Sequence, residues 1–143
     1  MRRSEIRENV FKLLFRAEFN DINEMPEQTR LYFENDIIID KDEEDAFCEI
    51  KDADREYISQ REQSILDKLE EIDKAISDKA TGWTTDRMGK IELAIIRLAV
   101  YEIMFDDDTP KGVAINEAVE LAKKYGQDES ASFVNGVLAK FAN

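Results

Sequence analysis

The sequence predicts an all-α protein built as two packed helical bundles of about three helices each. Apolar residues recur at three- and four-residue steps through every long segment, the signature of helices with one buried face. No two strand-like runs exist to pair with each other. The segment "DRMGKIELAIIRLAVYEIMF" is apolar around nearly its whole circumference, as a central buried helix must be. At 143 residues the chain suits one domain, 1–143, with an N-terminal subdomain of about 1–80 and a C-terminal subdomain of about 83–143.

Ile6, Val10, Leu13, Leu14 and Ala17 form the apolar stripe of the first helix, which Asn20-Asp21 ends. Met25-Pro26-Glu27 starts a second helix, because proline in a first turn loses no hydrogen bond. Ile37-Ile38-Ile39 has strand character but no partner run, and reads as core filler at the end of that helix. Asp40 to Asp45 is a charged loop. From Asp52 to Lys79, the spacing of Ile58, Ile65, Leu69, Ile72 and Ile76 predicts one long helix with an acidic outer face. Thr81-Gly82-Trp83 breaks it, and Thr84 or Thr85 caps the central helix.

"DDDTPKG" is a loop. In "VAINEAVELAKKYG", Lys123 and Lys124 suit the negative helix end, and Gly126 is expected to take the left-handed closing position. "DESASFVNGVLAKFA" is the last helix, capped by Asp128 or Ser130. Its periodicity runs across Asn135-Gly136, with Gly136 expected to let a neighbour approach closely.

Composition narrows the function. The chain has no histidine, which removes a member from zinc sites, nucleophilic triads and the Glu-x-x-His di-iron pattern. There is no phosphate-binding loop, no dinucleotide turn and no CxxC pair. Neither catalytic residues, cofactor nor metal is expected. The single cysteine, Cys48, is an incidental thiol, and with no secretory segment a cytoplasmic location is expected. The apolar run of the central helix is too short to span a bilayer and carries Glu92, Arg97 and Glu102.

Charge is unevenly placed. Residues 1–20 carry net +2, residues 21–80 carry −12 and residues 81–143 carry −3, within a total of −13. Cations near a helix N-terminus oppose the positive end of its dipole. Stepping by four along the first helix gives Arg3, Arg7, Phe11 and Phe15, with Arg2 just ahead. Guanidinium groups interleaved with rings suit a single-stranded nucleic acid, arginine taking phosphates and rings stacking bases. The same pattern also fits a wide core with the arginines paired to Glu5 and Glu8.

The stretch "VAINEAVELAKKYGQDESASFVNGVLAKF" closely resembles the most distinctive segment of the NusB family. Trp83 followed by "IELAIIRLAVYEI" resembles that family's tryptophan and the helix after it. Arg7-Glu8 with Leu14-Phe15 resembles its arginine-led first helix. The likeness runs end to end and is weakest across residues 21–80.

The resemblance implies two helical bundles packed side by side and a role in transcription antitermination. Members of the family join NusE, a small-subunit ribosomal protein, to bind boxA RNA. They meet the elongating RNA polymerase through other Nus factors and support transcription of ribosomal RNA operons. It also implies an RNA face of Arg2, Arg3, Arg7, Phe15, Glu129 and Phe133. Glu129 would accept from base edges or position a cation, or else complement the dipole of the last helix; Phe133 fits a core equally well. Glu92 is assigned to the partner face.

Two departures from the family pattern, dilution of the arginines by Ser4-Glu5 and Gly112 in place of a lysine, imply more reliance on NusE. Ala114, Ile115, Ala118, Val119, Val134 and Val137 are assigned to structure, and Asn116 and Asn135 to loop ties. The alternative is a helical protein-interaction module without an RNA role, self-associating as a homodimer through apolar faces.

Overall fold

The computed structural model describes residues 1–39, 50–80 and 85–142. The expectations for Cys48, for Asp40 to Asp45, for Thr81 to Thr84 and for the Ile37–Ile39 side chains lie outside the described residues. Among the described residues there are seven α-helices and no strand: α1 (Arg3–Ala17), α2 (Met25–Ile39), α3 (Asp52–Asp67), α4 (Leu69–Lys79), α5 (Lys90–Phe105), α6 (Lys111–Tyr125) and α7 (Ser130–Ala139). Short 3-10 turns at Ile22–Glu24 and Thr85–Arg87 precede α2 and α5. No described helix is long and apolar enough to cross a membrane.

The chain divides into two compact units, Met1–Gln63 and Ser64–Asn143. The division falls inside α3, ahead of the position near Trp83 that the sequence suggests. The physical reason is that α4 belongs with the C-terminal unit, where it packs on α5. That unit therefore holds four complete helices.

In the N-terminal unit, α1 buries Val10, Phe11, Leu13 and Leu14, so Phe11 is core and not a flanking ring. Helix α2 buries Tyr32 and Phe33 and packs against α1. Directional contacts fix that pairing. The Tyr32 hydroxyl donates to Asn9 Oδ1, Arg16 Nη1 donates to the Gln28 carbonyl at 3.1 Å, and the Arg16 guanidinium lies 5.1 Å from the Tyr32 ring centroid. From α3, Ile58 is fully buried and Arg55 lies over the Phe33 ring at 5.7 Å. Glu62 of α3 is only 3% exposed, and its carboxyl oxygens lie 2.8 and 3.0 Å from the Thr29 hydroxyl that donates to them.

The single long helix expected over 52–79 is broken at Lys68, whose φ of −107° and ψ of 9° leave the helical region. Ile65, Ile72 and Ile76 nevertheless stay fully buried. In the C-terminal unit, α5 is the central helix: Leu93, Ala94, Ile95, Ile96, Leu98, Ala99 and Val100 are all buried. Helices α4, α6 and α7 each pack on it. Arg97 and Asp73 join α5 to α4 through two parallel hydrogen bonds, Nε–Oδ1 at 2.9 Å and Nη2–Oδ2 at 2.7 Å.

Three local expectations are corrected. Helix α5 is entered through Gly89, not a threonine cap, because Thr85 begins a separate 3-10 turn. Gly126 ends α6 in an extended conformation, φ −90° and ψ −171°, not the left-handed one. Its need for glycine is steric: an added Cβ would lie 2.5 Å from the Ser130 side chain and 2.7 Å from the Ala122 carbonyl oxygen. Gly136 sits within α7 with open space where a Cβ would point, so no neighbour among the described residues approaches it there.

Burial raises the Glu62 pKa above 4.5, the Thr29 hydrogen bond opposing the shift. The folded state therefore binds this proton more tightly than the unfolded chain. The contribution is fully favourable below the unfolded value and is lost as pH rises through the folded one. Glu62→Gln keeps an acceptor for Thr29 without the buried charge. It is expected to raise the urea midpoint at pH 7 relative to the unsubstituted protein, with the gain vanishing toward pH 4.5. Asp73→Ala removes two hydrogen bonds from a part-buried guanidinium. A loss of about 1.5–3 kcal/mol is expected in urea unfolding, the scale for hydrogen bonds to charged groups.

Candidate nucleic-acid interface

The first turn of α1 lacks a neutralising cap. Arg2 holds the N-cap position without a side-chain cap bond, and Glu5 is the one acid in that turn. Arg2 Nε donates to Glu5 Oε1 at 3.1 Å while its side chain stays 86% exposed, a pair worth little in water. Arg3 is exposed and makes no ion pair among the described residues. Arg7, one turn further, is half-buried.

The rings continue along the same side of α1. Phe11 is 3% exposed, Phe15 is half-buried and Phe19 is 61% exposed, a ladder running from core to solvent. Ring centroids are 6.4 Å apart for Phe11–Phe15 and 5.2 Å for the edge-to-face Phe15–Phe19 pair. Phe19 was not among the residues singled out from sequence, although the four-residue step that selects Phe15 also selects it.

The second set of expected site residues assembles in the C-terminal unit. Glu129 is exposed at the N-cap of α7 and makes no side-chain cap bond; Phe133 is half-buried one turn on. Between them Ser130 is buried. Its hydroxyl accepts from the Gln127 backbone N–H at 2.9 Å and donates to Glu92 Oε1 at 2.6 Å. Glu92 lies in the first turn of α5 and is half-buried, so one carboxylate oxygen is engaged inside its own unit. Sequence gave no sign of Ser130 beyond a capping role; its actual role is a tertiary hydrogen bond between α7 and α5.

Helices α6 and α7 leave an open groove of about 680 Å³ lined by Gly112, Val113, Asn116, Val119, Ser132 and Asn135, among others. Asn116 and Asn135 are exposed on this groove and make no side-chain hydrogen bond among the described residues. Ala114, Ala118, Val134 and Val137 are core, whereas Ile115 and Val119 are half-buried on the groove wall. Lys111 is exposed at the first turn of α6, and Gly112 faces open space. No cluster of metal-ligating side chains occurs among the described residues.

Ser130→Ala removes a charge-assisted hydrogen bond and leaves the Gln127 N–H with one acceptor fewer. A loss of about 1–3 kcal/mol is expected in thermal or urea unfolding.

Comparison with known proteins identifies the family. The NusB family model matches residues 4–143. The chain is 56% identical over 142 residues to the transcription antitermination protein NusB of Agathobacter rectalis, covering 99% of this chain and 100% of the relative. It is 49% identical over 140 residues to that of Lachnoclostridium phytofermentans, with 98% of each covered. Among solved structures, T. maritima NusB superposes with a TM-score of 0.77 at 32% identity, covering 99% of this chain and 91% of that one. A structure of antitermination factors NusB and NusE in complex with dsRNA gives a TM-score of 0.74 at 27% identity, covering 98% and 95%. Matched along almost its whole length in both sequence and fold, the chain belongs to the NusB family.

Proposed function

We propose that this chain is a transcription antitermination factor of the bacterial cytoplasm. In this reading it pairs with a NusE-type ribosomal protein, binds boxA RNA and joins the elongating polymerase through other Nus factors. The observation that carries the reading is the family match over residues 4–143, which includes the cationic start of α1. The likeness to a NusB solved with NusE and dsRNA supports both partners. The work is binding, and it calls for no catalytic group.

Roles follow from chemistry. Arg2, Arg3 and Arg7 take phosphates. Phe15 offers a ring to a base, and Phe19 extends the same row. Glu129 accepts from base edges, because a carboxylate cannot hold a phosphate, and Phe133 lies beside it. Glu92 keeps one carboxylate oxygen for Ser130 and presents the rest of the group to a basic partner. The −12 charge of residues 21–80 favours association with such a partner. An unpaired strand suits exposed rings better than a duplex, so single-stranded boxA should compete better than the same sequence base-paired.

About three neutralised phosphates correspond to a slope of about −2 in log K against log salt. The Arg3→Ala, Arg7→Ala double variant is expected to weaken boxA binding and to make that slope shallower by about 1.4. Titration of the NusE-bound protein with labelled RNA over a salt series checks both. An unchanged affinity and slope would remove the arginines from the RNA face.

A further inference from the structure

The outward side of α6 is apolar. Val113 is 43% exposed, and Ile115 and Val119 are half-buried, outside the core that Ala114, Ala118, Leu121 and Ala122 supply. These side chains line the groove that α6 shares with α7. Each wall adds a carboxamide, Asn116 from α6 and Asn135 from α7, and neither makes a side-chain hydrogen bond among the described residues. Glu117 is the one ionisable side chain among the described residues that line the groove. It is half-buried, and no cation pairs with it among those residues.

At about 100° per residue along α7, Ala131 and Asn135 fall at one edge of its exposed surface. Glu129 and Phe133 fall at the other edge, with Ser132 and Gly136 between. The groove thus lies on a different side of α7 from the pair assigned to RNA.

The lining selects an occupant. Among the described residues no arginine, lysine or aromatic ring lines the groove, so it offers a nucleic-acid strand neither a phosphate contact nor a stacking surface. A second copy of this chain would bring another net charge of −13 against the first. A basic protein segment meets neither objection. Its aliphatic side chains fit against Val113, Ile115 and Val119, and a lysine or arginine answers Glu117. A carboxamide carries a carbonyl acceptor and an N–H donor, the same two groups that an extended backbone presents to a neighbour.

We propose that this groove seats an extended basic segment of the NusE-type ribosomal protein. Asn116 and Asn135 hold its backbone from the two walls, and Glu117 pairs with one of its cations. The proposal rests on the partner reading above and gives that partner a seat on the C-terminal unit.

The test uses the full chain, with the purified NusE-type protein as one probe and single-stranded boxA RNA as the other. The Asn116→Ala, Asn135→Ala double variant is expected to weaken partner binding about ten-fold, the scale of two lost neutral hydrogen bonds. Both positions are exposed and helical, where alanine keeps the fold. Glu117→Lys is expected to weaken partner binding more than Glu117→Gln, and added salt to narrow that gap. BoxA binding by each variant without the partner is expected to match that of the unsubstituted protein. Unchanged partner binding in the double variant or in Glu117→Lys overturns the proposal. So does a loss confined to boxA binding, which would make the groove an RNA contact, or one confined to self-association, which would make it a homodimer face. Failure of the unsubstituted protein to bind the partner overturns the underlying reading and this proposal together.

Discussion

The C-terminal unit depends on covering α5. Eight of its sixteen residues are buried, and they point in every direction around the axis. Burying one large aliphatic side chain is worth about 1.5–3 kcal/mol, so leaving any side of α5 open to water would be costly. Helices α4, α6 and α7 each answer that demand from a different side. Hydrophobic burial is non-directional and does not by itself set the height or rotation of a covering helix. Two polar links supply that information. Arg97–Asp73 sets α4 against the middle of α5, and Glu92–Ser130 sets the start of α7 against its first turn. Through the second link the position of Glu129 and Phe133 follows from the packing of the central helix.

Helix α1 resolves a different conflict. Its first turn carries cations where the helix dipole disfavours them, each at some tenths of a kcal/mol. Its buried residues, Val10 to Leu14, all lie in later turns, where they pack against the rest of the N-terminal unit. Most helical stability in proteins comes from such packing, so the first turn is left to carry misfit charge. Arg2 is paired only through an exposed bond to Glu5, and Arg3 not at all among the described residues. A turn optimised for stability would place acids there. The sequence spends that small stability on cations at the surface.

Periodicity made α1, α5, α6 and α7 legible, since each shows its buried face as a three- and four-residue rhythm. It could not show the break at Lys68. Ile65 and Ile72 are seven residues apart, so the apolar seam continues unbroken through a bend that contains neither glycine nor proline. Nothing local marks α4 as belonging with α5 either; the Asp73–Arg97 pair that ties them spans 24 residues. Gly126 was recognised as a helix terminator but for the wrong cause. A left-handed turn is a local property, whereas the contact with Ser130 is tertiary and leaves no trace in neighbouring residues. Of the site, the arginines and Phe15 stood out because charge sign and helical step are local. The engagement of Glu92 by Ser130 joins residues 38 apart and required coordinates.

In the proposed reading an acidic protein binds RNA, which is no contradiction once distance is considered. At physiological ionic strength charges are screened over about 8 Å, so a local excess of arginines at the start of α1 acts on a nearby strand despite the chain's net negative charge. The acids act on everything else. In the proposed reading they discourage a polyanion from lying away from the arginines of α1 and favour a basic protein on the acidic surface. Charge would then favour opposite partners at oppositely charged surfaces of one small chain. Closer contacts, a ring beneath a base or a carboxylate against a cation, then only need to select among molecules already delivered to the right place.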